Sequence, residues 1–251
     1  MGTSFLQMVK VAASRRRQEA DTITMASASV VERGDDVASS PWRRKRQRGE
    51  PEAEHTSDRS ERQWMHMDFQ WGRTADNVRI DGSRLVGEAI SGVSRSIVGS
   101  ALSAQACTAG MYSWTLRRVS KGSEGPADYV GVSAGTGINL GGAPTSSSFG
   151  GFVAGFRASR ANGRVGGELR YGATTYSGSP SNLPSLEEDG SLLVITLDHE
   201  AGKIVFGSPG LRPHLGTIHF REEHRGMPLH LFVYLCRSSS WEVVESCRLS
   251  N

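Results

Sequence analysis

Short apolar runs alternate with polar turns over most of the chain, and one pair of runs sets the expectation for the rest. Leu192–Leu197 is rich in branched, β-forming side chains, as is typical of a strand with both faces largely covered. Ile204–Phe206 repeats this chemistry after the turn formers Asp198–Lys203, where Gly202 can adopt a positive φ. The pattern predicts a β-hairpin with a loop of about five or six residues. Because an isolated hairpin is unstable in water, more sheet is expected around it.

Similar runs, separated by Gly, Ser, Asn and Pro, continue from Trp64 to the end of the chain. The predicted strands are Val78–Ile80, Arg84–Val86, Ser96–Val98, Met111–Val119, Tyr129–Val132, Phe152–Phe156, Glu168–Tyr171, Leu192–Leu197, Ile204–Phe206, Gly216–Phe220, Leu229–Leu235 and Trp241–Val244. Alternation should place Tyr112, Trp114 and Leu116 on one face of their strand. Many short strands without amphipathic helices between them predict an all-β fold, an antiparallel two-sheet β-sandwich.

The first part of the chain has a different composition. Asp21–Gln63 mixes Ser, Asp, Glu, Arg and Pro with few aromatic residues, and such a segment cannot bury enough apolar area to offset its chain entropy. Low hydrophobic content over the whole chain, at 37%, agrees with this division. We therefore expect a disordered N-terminal tail over 1–63 and the β-sandwich over 64–247.

Two stretches of the tail resemble targeting signals. Met1–Arg17 is amphipathic and contains no acid, which is typical of a transit peptide, or else it is a disordered start. A short basic cluster on a flexible chain has the form of a nuclear import signal, or else it is a solvated charge run. This cluster consists of Arg43, Arg44, Lys45, Arg46 and Arg48. The acidic residues of 50–54 follow at once, which weakens any extended surface for nucleic acid.

Charge and cysteine content limit the cellular compartment and the classes of binding partner to be expected. A net charge of +3 is too small to indicate a nucleic-acid partner by itself. Cys107, Cys236 and Cys247 form no CxxC pair, and the first two are expected to be buried as small hydrophobic residues. No apolar run approaches the length of a membrane span. We expect an intracellular protein, nuclear or cytoplasmic, with a mitochondrial location less favoured, and no membrane or nucleic-acid partner.

Several pieces of the sandwich region carry motifs in a fixed order. They are Gly110–Leu116 (G-x-Y-x-W-x-L), Tyr129–Ser133 (Y-V-G-V-S), the hairpin Glu188–Phe206, Leu215–Phe220, Met227–Tyr234 and Trp241–Val244. This ordered series resembles the SPRY (B30.2-like) domain family over about Trp64–Glu245. Two stretches depart from it: Gly207–Gly210 replaces the usual Asn-Gly turn, and Gly141–Gly167 is unusually rich in Gly, Ser and Arg.

The resemblance implies a bent, concanavalin-like sandwich that acts as a protein- or peptide-binding module through loops at one end. It implies no catalytic residues, no cofactor and an interaction or adaptor role. SPRY domains are often attached to ubiquitin-ligase machinery, but the chain has no Cys/His array for a RING or B-box, so such a role would need a ligase component in trans. The alternative is a lectin-like domain that binds carbohydrate or another small ligand, with Trp241, Tyr171 or Tyr176 stacking on it.

Three groups of residues suggest a catalytic, phosphate or metal site, but their spacing or position favours an ordinary structural role. Gly135–Gly141 lacks the G-x-G-x-x-G pattern and a following helix, which favours a sandwich loop over a phosphate site. The histidines 214, 219, 224 and 230 match no metal motif, and alternation should send His219 and Phe220 to opposite faces. Asp198 and Glu200 lie in the hairpin turn, where bonds to the backbone are the ordinary role. We expect neither catalysis nor a metal.

A patch rich in arginine and tyrosine is the candidate binding site. It consists of Arg157, Arg160, Arg164, Arg170, Tyr171 and Tyr176, around the turn Asn162-Gly163. Both residue types provide large contact areas and directional hydrogen bonds. The ligand class that fits is an acidic or phosphorylated peptide. The alternative is a hairpin tip whose charges only confer solubility.

A fluorescent fusion of Met1–Gln63 tests the targeting hypotheses. Nuclear concentration is the expected result of an import signal at the basic cluster, because such a signal acts on a flexible chain. Mitochondrial accumulation would instead support the transit interpretation of Met1–Arg17. A uniform cytosolic signal in fluorescence microscopy would contradict both.

Overall fold

The computed structural model describes residues 63–88, 97–121, 128–144, 149–158, 166–186, 188–236 and 238–249. The transit-like segment and the basic cluster lie outside these residues. The strands are β1 (Trp64–His66), β2 (Trp71–Thr74), β3 (Val78–Asp81), β4 (Arg84–Gly87), β5 (Ile97–Ser103), β6 (Met111–Ser120), β7 (Tyr129–Ala134), β8 (Val153–Arg157), β9 (Glu168–Tyr171), β10 (Thr174–Thr175), β11 (Leu192–Asp198), β12 (Lys203–Ser208), β13 (Arg212–His219), β14 (Leu229–Cys236) and β15 (Ser240–Leu249). A 3-10 turn covers Glu222–His224.

These strands form two antiparallel sheets. Sheet I has eight strands in the order β13-β12-β11-β6-β15-β4-β3, with β1 paired to β15, and sheet II has seven in the order β10-β9-β8-β7-β14-β5-β2. The inner faces meet in one apolar core, where for example the rings of Phe156 and Phe206 lie 6.4 Å apart across the two sheets. The all-β, two-sheet sandwich predicted from the sequence is confirmed.

The hairpin β11–β12 forms as predicted, with a shorter loop. Asp198 pairs with Lys203, which leaves His199–Gly202 as the turn. In it, the backbone N–H of Ala201 donates to Asp198 Oδ1 at 2.9 Å, and Gly202 has a φ of 59°. The Asx-type role of Asp198 and the positive φ of Gly202 are therefore confirmed.

The expectation that both faces of this strand are covered is wrong. Burial alternates along β11: Leu193, Ile195 and Leu197 are buried, whereas Val194 and Thr196 are half-buried. The physical reason is that only the inner face of sheet I meets the other sheet. The same alternation holds in β6, where Tyr112, Trp114 and Leu116 are buried together, as predicted.

Some strands carried no signal in the sequence, and some have other bounds. Sequence reasoning missed β1, β2 and β10, which are short and form because a partner strand lies beside them. In β5 the small residues Gly99–Ala101 continue the strand beyond the predicted end. In β13 the polar residues Arg212–His214 precede the predicted start.

The outer face of sheet II is covered by the chain itself. The segment between β7 and β8 folds back over it, with Leu140 O accepting from Ser100 N at 2.8 Å and Phe149 packing 5.6 Å from Phe232. Glycine is required beneath this layer, because a Cβ on Gly155 would lie 2.5 Å from a ring carbon of Tyr129. The central strands β7 and β14 of sheet II are therefore buried on both faces, unlike β11.

A buried carboxylate ties the two sheets together at one end. Asp128 precedes β7, and its side chain has no solvent exposure. Its Oδ1 accepts from Cys236 N and Ser239 Oγ, both at 2.8 Å. Its Oδ2 accepts from Trp241 Nε1 and lies against Arg118 Nη2, both at 2.9 Å. Burial raises the pKa of the Asp128 carboxyl, while the Arg118 charge and the three donors oppose that rise.

The substitution Asp128→Asn should destabilise the domain strongly, because it leaves the Arg118 guanidinium buried without a counter-charge. We expect a loss of about 3–5 kcal/mol in the free energy of unfolding, measured by urea denaturation. The matched control is Glu242→Gln, which breaks the ion pair with the half-exposed Arg117 and should cost less than about 1 kcal/mol. Equal losses for the two variants would contradict the role of Asp128.

Candidate functional site

An open cleft of about 590 Å³ lies at the end of the sandwich where β7 and β9 end and β8 and β14 begin. Its apolar floor is formed by Ala134, Phe152 and Met227. Its rim carries polar and charged groups, namely Thr136, Thr174, Arg221 and His224. The backbone of three glycines, Gly150, Gly151 and Gly172, completes the wall. The cleft therefore combines apolar surface, accessible main chain and one cation.

The aromatic residues of the cleft converge because of strand register. Tyr171 pairs with Ala154 between β9 and β8, two residues from the inner-facing pair of Leu169 and Phe156, so its ring lies on the inner side. Phe152 lies just before β8, an even number of residues from Ala154 and Phe156, so its side chain is directed to the same inner face. Its ring lies 5.2 Å from that of Tyr171 and 5.7 Å from that of Phe220. The two sheets are thus closed at this end by aromatic rings.

A hydrogen-bond network connects this cluster to the segment between β13 and β14. The backbone N–H of Arg221 donates to Tyr171 Oη at 3.0 Å, and His224 Nδ1 lies 2.7 Å from the same oxygen. The His224 ring stacks on Phe152 with centroids 4.2 Å apart. Partial burial lowers the pKa of His224; the Glu223 carboxylate opposes this and the Arg221 charge adds to it. Burial raises the pKa of Tyr171, so its hydroxyl keeps its proton at neutral pH.

Arg221 holds a positive charge at the rim. Its side chain is 67% exposed, and its guanidinium carbon lies 5.2 Å from the centre of the Tyr171 ring. Its Nη1 lies 3.7 Å from Glu223 Oε1, on the exposed side of the 3-10 turn. An arginine placed over an aromatic ring keeps donors free for a ligand.

The structure divides the patch that the sequence predicted. Arg157 Nη1 and Arg170 Nη1 both contact Glu168 Oε1, at 3.2 and 2.7 Å, and the three side chains are only 11–12% exposed. These two arginines therefore form an internal ion cluster instead of an exposed patch. Tyr171 lies in the cleft, and Tyr176 Oη accepts from His219 N at 3.2 Å. Arg160 and Arg164 lie outside the described residues, and their role stays a prediction.

The other candidate residues have structural partners. His230 Nδ1 lies 2.8 Å from Ser103 O, and His199 Nε2 lies 2.9 Å from Met227 O. His219 is exposed and Phe220 is buried, as the alternation predicted. Among the described residues, no group of three or more His, Cys, Asp or Glu side chains could hold a metal ion. Within the same residues, no helix is long and apolar enough to cross a membrane.

The cysteines follow the prediction of buried small residues. Cys107 and Cys236 are 2% and 3% exposed. Burial raises the pKa of the Cys107 thiol to about 12, so it remains a thiol at neutral pH.

Trp241 is not available to stack on a sugar. It is fully buried, and its indole nitrogen donates to Asp128 at 2.9 Å. The lectin alternative named this residue, and that assignment is wrong because the ring belongs to the core. Tyr171 is buried as well, with one face of its ring beneath Arg221.

Of the residues that form the cleft, sequence reasoning named only Tyr171 as a candidate for binding. Phe152 and Met227 were read only as the starts of strand-like pieces, Arg221 carried no motif, and His224 was seen only as one of four histidines. The signal is absent because these residues come from two separate connections of the fold, the one between β7 and β8 and the one between β13 and β14. Only strand pairing brings them together.

Glu168 should make the free energy of unfolding of the domain depend on pH in the acidic range. Burial works against the charged form of Glu168, but the hydrogen bonds and charges of Arg170 and Arg157 outweigh it, so its pKa is lowered. The stabilisation is complete above the ordinary carboxyl pKa of about 4.3 and is lost as pH falls through the folded-state value. Glu168→Gln should therefore cost about 1–3 kcal/mol at pH 7 and progressively less below pH ~4, measured by urea denaturation against pH. A difference independent of pH would contradict this assignment.

Comparisons with known proteins concern the fold. Neither a scan against protein-family profiles nor a comparison with curated protein sequences finds a match. Among solved structures, the PSpry domain of TRIM65 is 15% identical with a TM-score of 0.49, covering 70% of this chain and 90% of that one. The SPRY domain of human HERC1 is 21% identical with a TM-score of 0.43, and the match covers 75% of this chain and 98% of that one. Stonustoxin is 11% identical with a TM-score of 0.47, and the match covers 71% of this chain and 27% of the stonustoxin chain. Two of the three are SPRY domains, the family that the ordered motifs resemble.

Proposed function

We propose that this chain is a non-enzymatic interaction protein whose SPRY-like sandwich binds a peptide segment of a partner in the end cleft. The observation that carries the proposal is the cleft itself, which combines an apolar floor, glycine backbone and a rim cation in about 590 Å³. Ligand sites typically have volumes of about 300–1,000 Å³, with apolar linings and a few placed polar groups.

The local structure suits an extended peptide. The main chain of Gly150 and Gly151 is part of the cleft wall, where a ligand main chain can approach it. Larger residues would not fit there: a Cβ on Gly151 would lie 2.0 Å from the Ile138 side chain. Phe152 and Met227 supply the apolar surface for one or two ligand side chains. Loops held by a rigid scaffold are where binding residues are usually found.

The arginine patch enters the proposal as a second contact area. Arg160 and Arg164 lie in the connection that follows Arg157, and arginines suit an acidic or phosphorylated ligand. With such contacts the chain would act as an adaptor in the nucleus or cytoplasm. Any part in ubiquitin transfer would come from a ligase component in trans.

Selection of peptides from a displayed random library against the full chain tests the cleft. The blocking variant is Ala173→Trp, since Ala173 is exposed and lines the cleft, so that an indole there fills it. We expect the selected peptides to lose at least about tenfold in affinity, or roughly 1.4 kcal/mol, by fluorescence anisotropy.

The matched control is Ser177→Trp, because Ser177 is an exposed turn residue that does not line the cleft. Its affinities should equal those of the unmodified chain, and urea denaturation should show that both variants are folded. Peptides that bind Ala173→Trp as well as they bind the unmodified chain would contradict the proposal. The double change Arg160→Ala and Arg164→Ala measures the contribution of the second area separately.

A further inference from the structure

The charges around the cleft are unbalanced in favour of an anionic ligand. Of the described residues that line it, Arg221 carries a full positive charge and none is an aspartate or glutamate. The Glu223 carboxylate is 63% exposed, and its Oε1 lies 3.7 Å from Arg221 Nη1 and 4.0 Å from His224 Nδ1. Because a guanidinium has five N–H donors in a fixed fork, most of its hydrogen-bonding capacity remains for a ligand.

Arg221 is also held in position before any ligand arrives. Its backbone N–H donates to Tyr171 Oη, and its guanidinium lies over the ring of the same tyrosine. The first contact fixes the main chain of Arg221, and the second restricts the rotamers of its otherwise flexible side chain. A side chain ordered in advance loses less entropy on binding.

The hydrogen bonds of Tyr171 bear on the tautomer of His224. A backbone N–H can only donate, so Tyr171 Oη accepts from Arg221 and has its own proton available to donate. His224 Nδ1 lies 2.7 Å from this oxygen, and accepting that proton is the arrangement in which the hydroxyl uses both its donor and an acceptor site. A neutral imidazole that accepts at Nδ1 carries its proton on Nε2. In this arrangement His224, which lines the cleft and is close in sequence to Arg221, has an Nε2–H donor.

We infer that the cleft selects a peptide that carries an aspartate or glutamate side chain, with the carboxylate held by Arg221 and by the Nε2–H of His224. This inference rests on the proposed function and adds the ligand chemistry to it. Charge-assisted hydrogen bonds of this kind are about twice as strong as those between neutral groups. His224 and Arg221 are thus specificity-determining residues of the site.

Binding should also take up a proton. The groups that face His224 are Tyr171 from β9, Arg221 and Glu223 from its own segment, and the uncharged Phe152 before β8. A ligand carboxylate at Nε2–H favours the imidazolium form and raises the pKa of His224. The network tolerates this, because Tyr171 Oη has a second lone pair to accept from Nδ1–H. Affinity should therefore increase as pH falls from about 7.5 to about 5.5, by roughly three- to tenfold.

The test uses peptides from the library selection that lose affinity for Ala173→Trp, each paired with a version in which its acids are replaced by the amides. We expect the acidic peptides to bind more tightly, and Arg221→Gln to remove that difference. Glu223→Gln should strengthen binding, because it removes the competing carboxylate. The matched control Glu222→Gln should have no effect, since Glu222 pairs with Arg225 outside the cleft.

A second measurement needs no selected peptide. Nitrogen NMR of the free full chain, with His224→Gln for assignment, should show His224 protonated at Nε2. Sodium acetate should raise the pKa of His224, and acetamide at the same ionic strength should not. An Nδ1–H tautomer, or a pKa that acetate leaves unchanged, would overturn the inference.

The outcomes separate the two proposals. Cleft-dependent peptides whose amide versions bind equally well, with affinities independent of pH, would overturn the carboxylate inference and leave the proposed function standing. Failure to recover any peptide sensitive to Ala173→Trp would overturn both.

Discussion

The buried ion pair of Asp128 and Arg118 is the interaction on which the rest of the sandwich depends. Two charges are removed from water here, and the cost is offset because the carboxylate also accepts from Trp241, Ser239 and the main chain of Cys236. These residues come from both sheets and from strands distant in the sequence. Their common acceptor fixes where β6, β7, β14 and β15 lie relative to one another.

The two ends of the domain are closed by different chemistry. At the end where β7 begins, the hydrogen bonds of Asp128 are buried among charged and polar partners. At the end where β7 finishes, the rings of Phe152, Tyr171 and Phe220 close the core, and polar groups remain at the surface. A rigid frame at one end thus supports an open, mixed surface at the other, which is the arrangement that binding requires.

Local patterns predicted the elements better than the site. The hairpin β11–β12, the inward face of β6 and the turn role of Asp198 follow from period-two alternation and turn chemistry, which neighbouring residues determine. The arginine patch was a weaker prediction, because charge is usually exposed but need not be. Arg157 and Arg170 are paired with Glu168 and largely covered, and the position of Glu168 opposite Arg157 depends on the register of β8 and β9.

The sequence by itself determined the all-β class, most strands and the resemblance to SPRY domains, since these depend on alternation and on the order of motifs. Tertiary structure alone decided which face is covered, which charges are paired and where a ligand can bind. Phe152, Tyr171 and His224 lie far apart along the chain and meet only after the sheets have formed. The reason is physical: side-chain direction is a local property, whereas a cleft is built from contacts between distant segments.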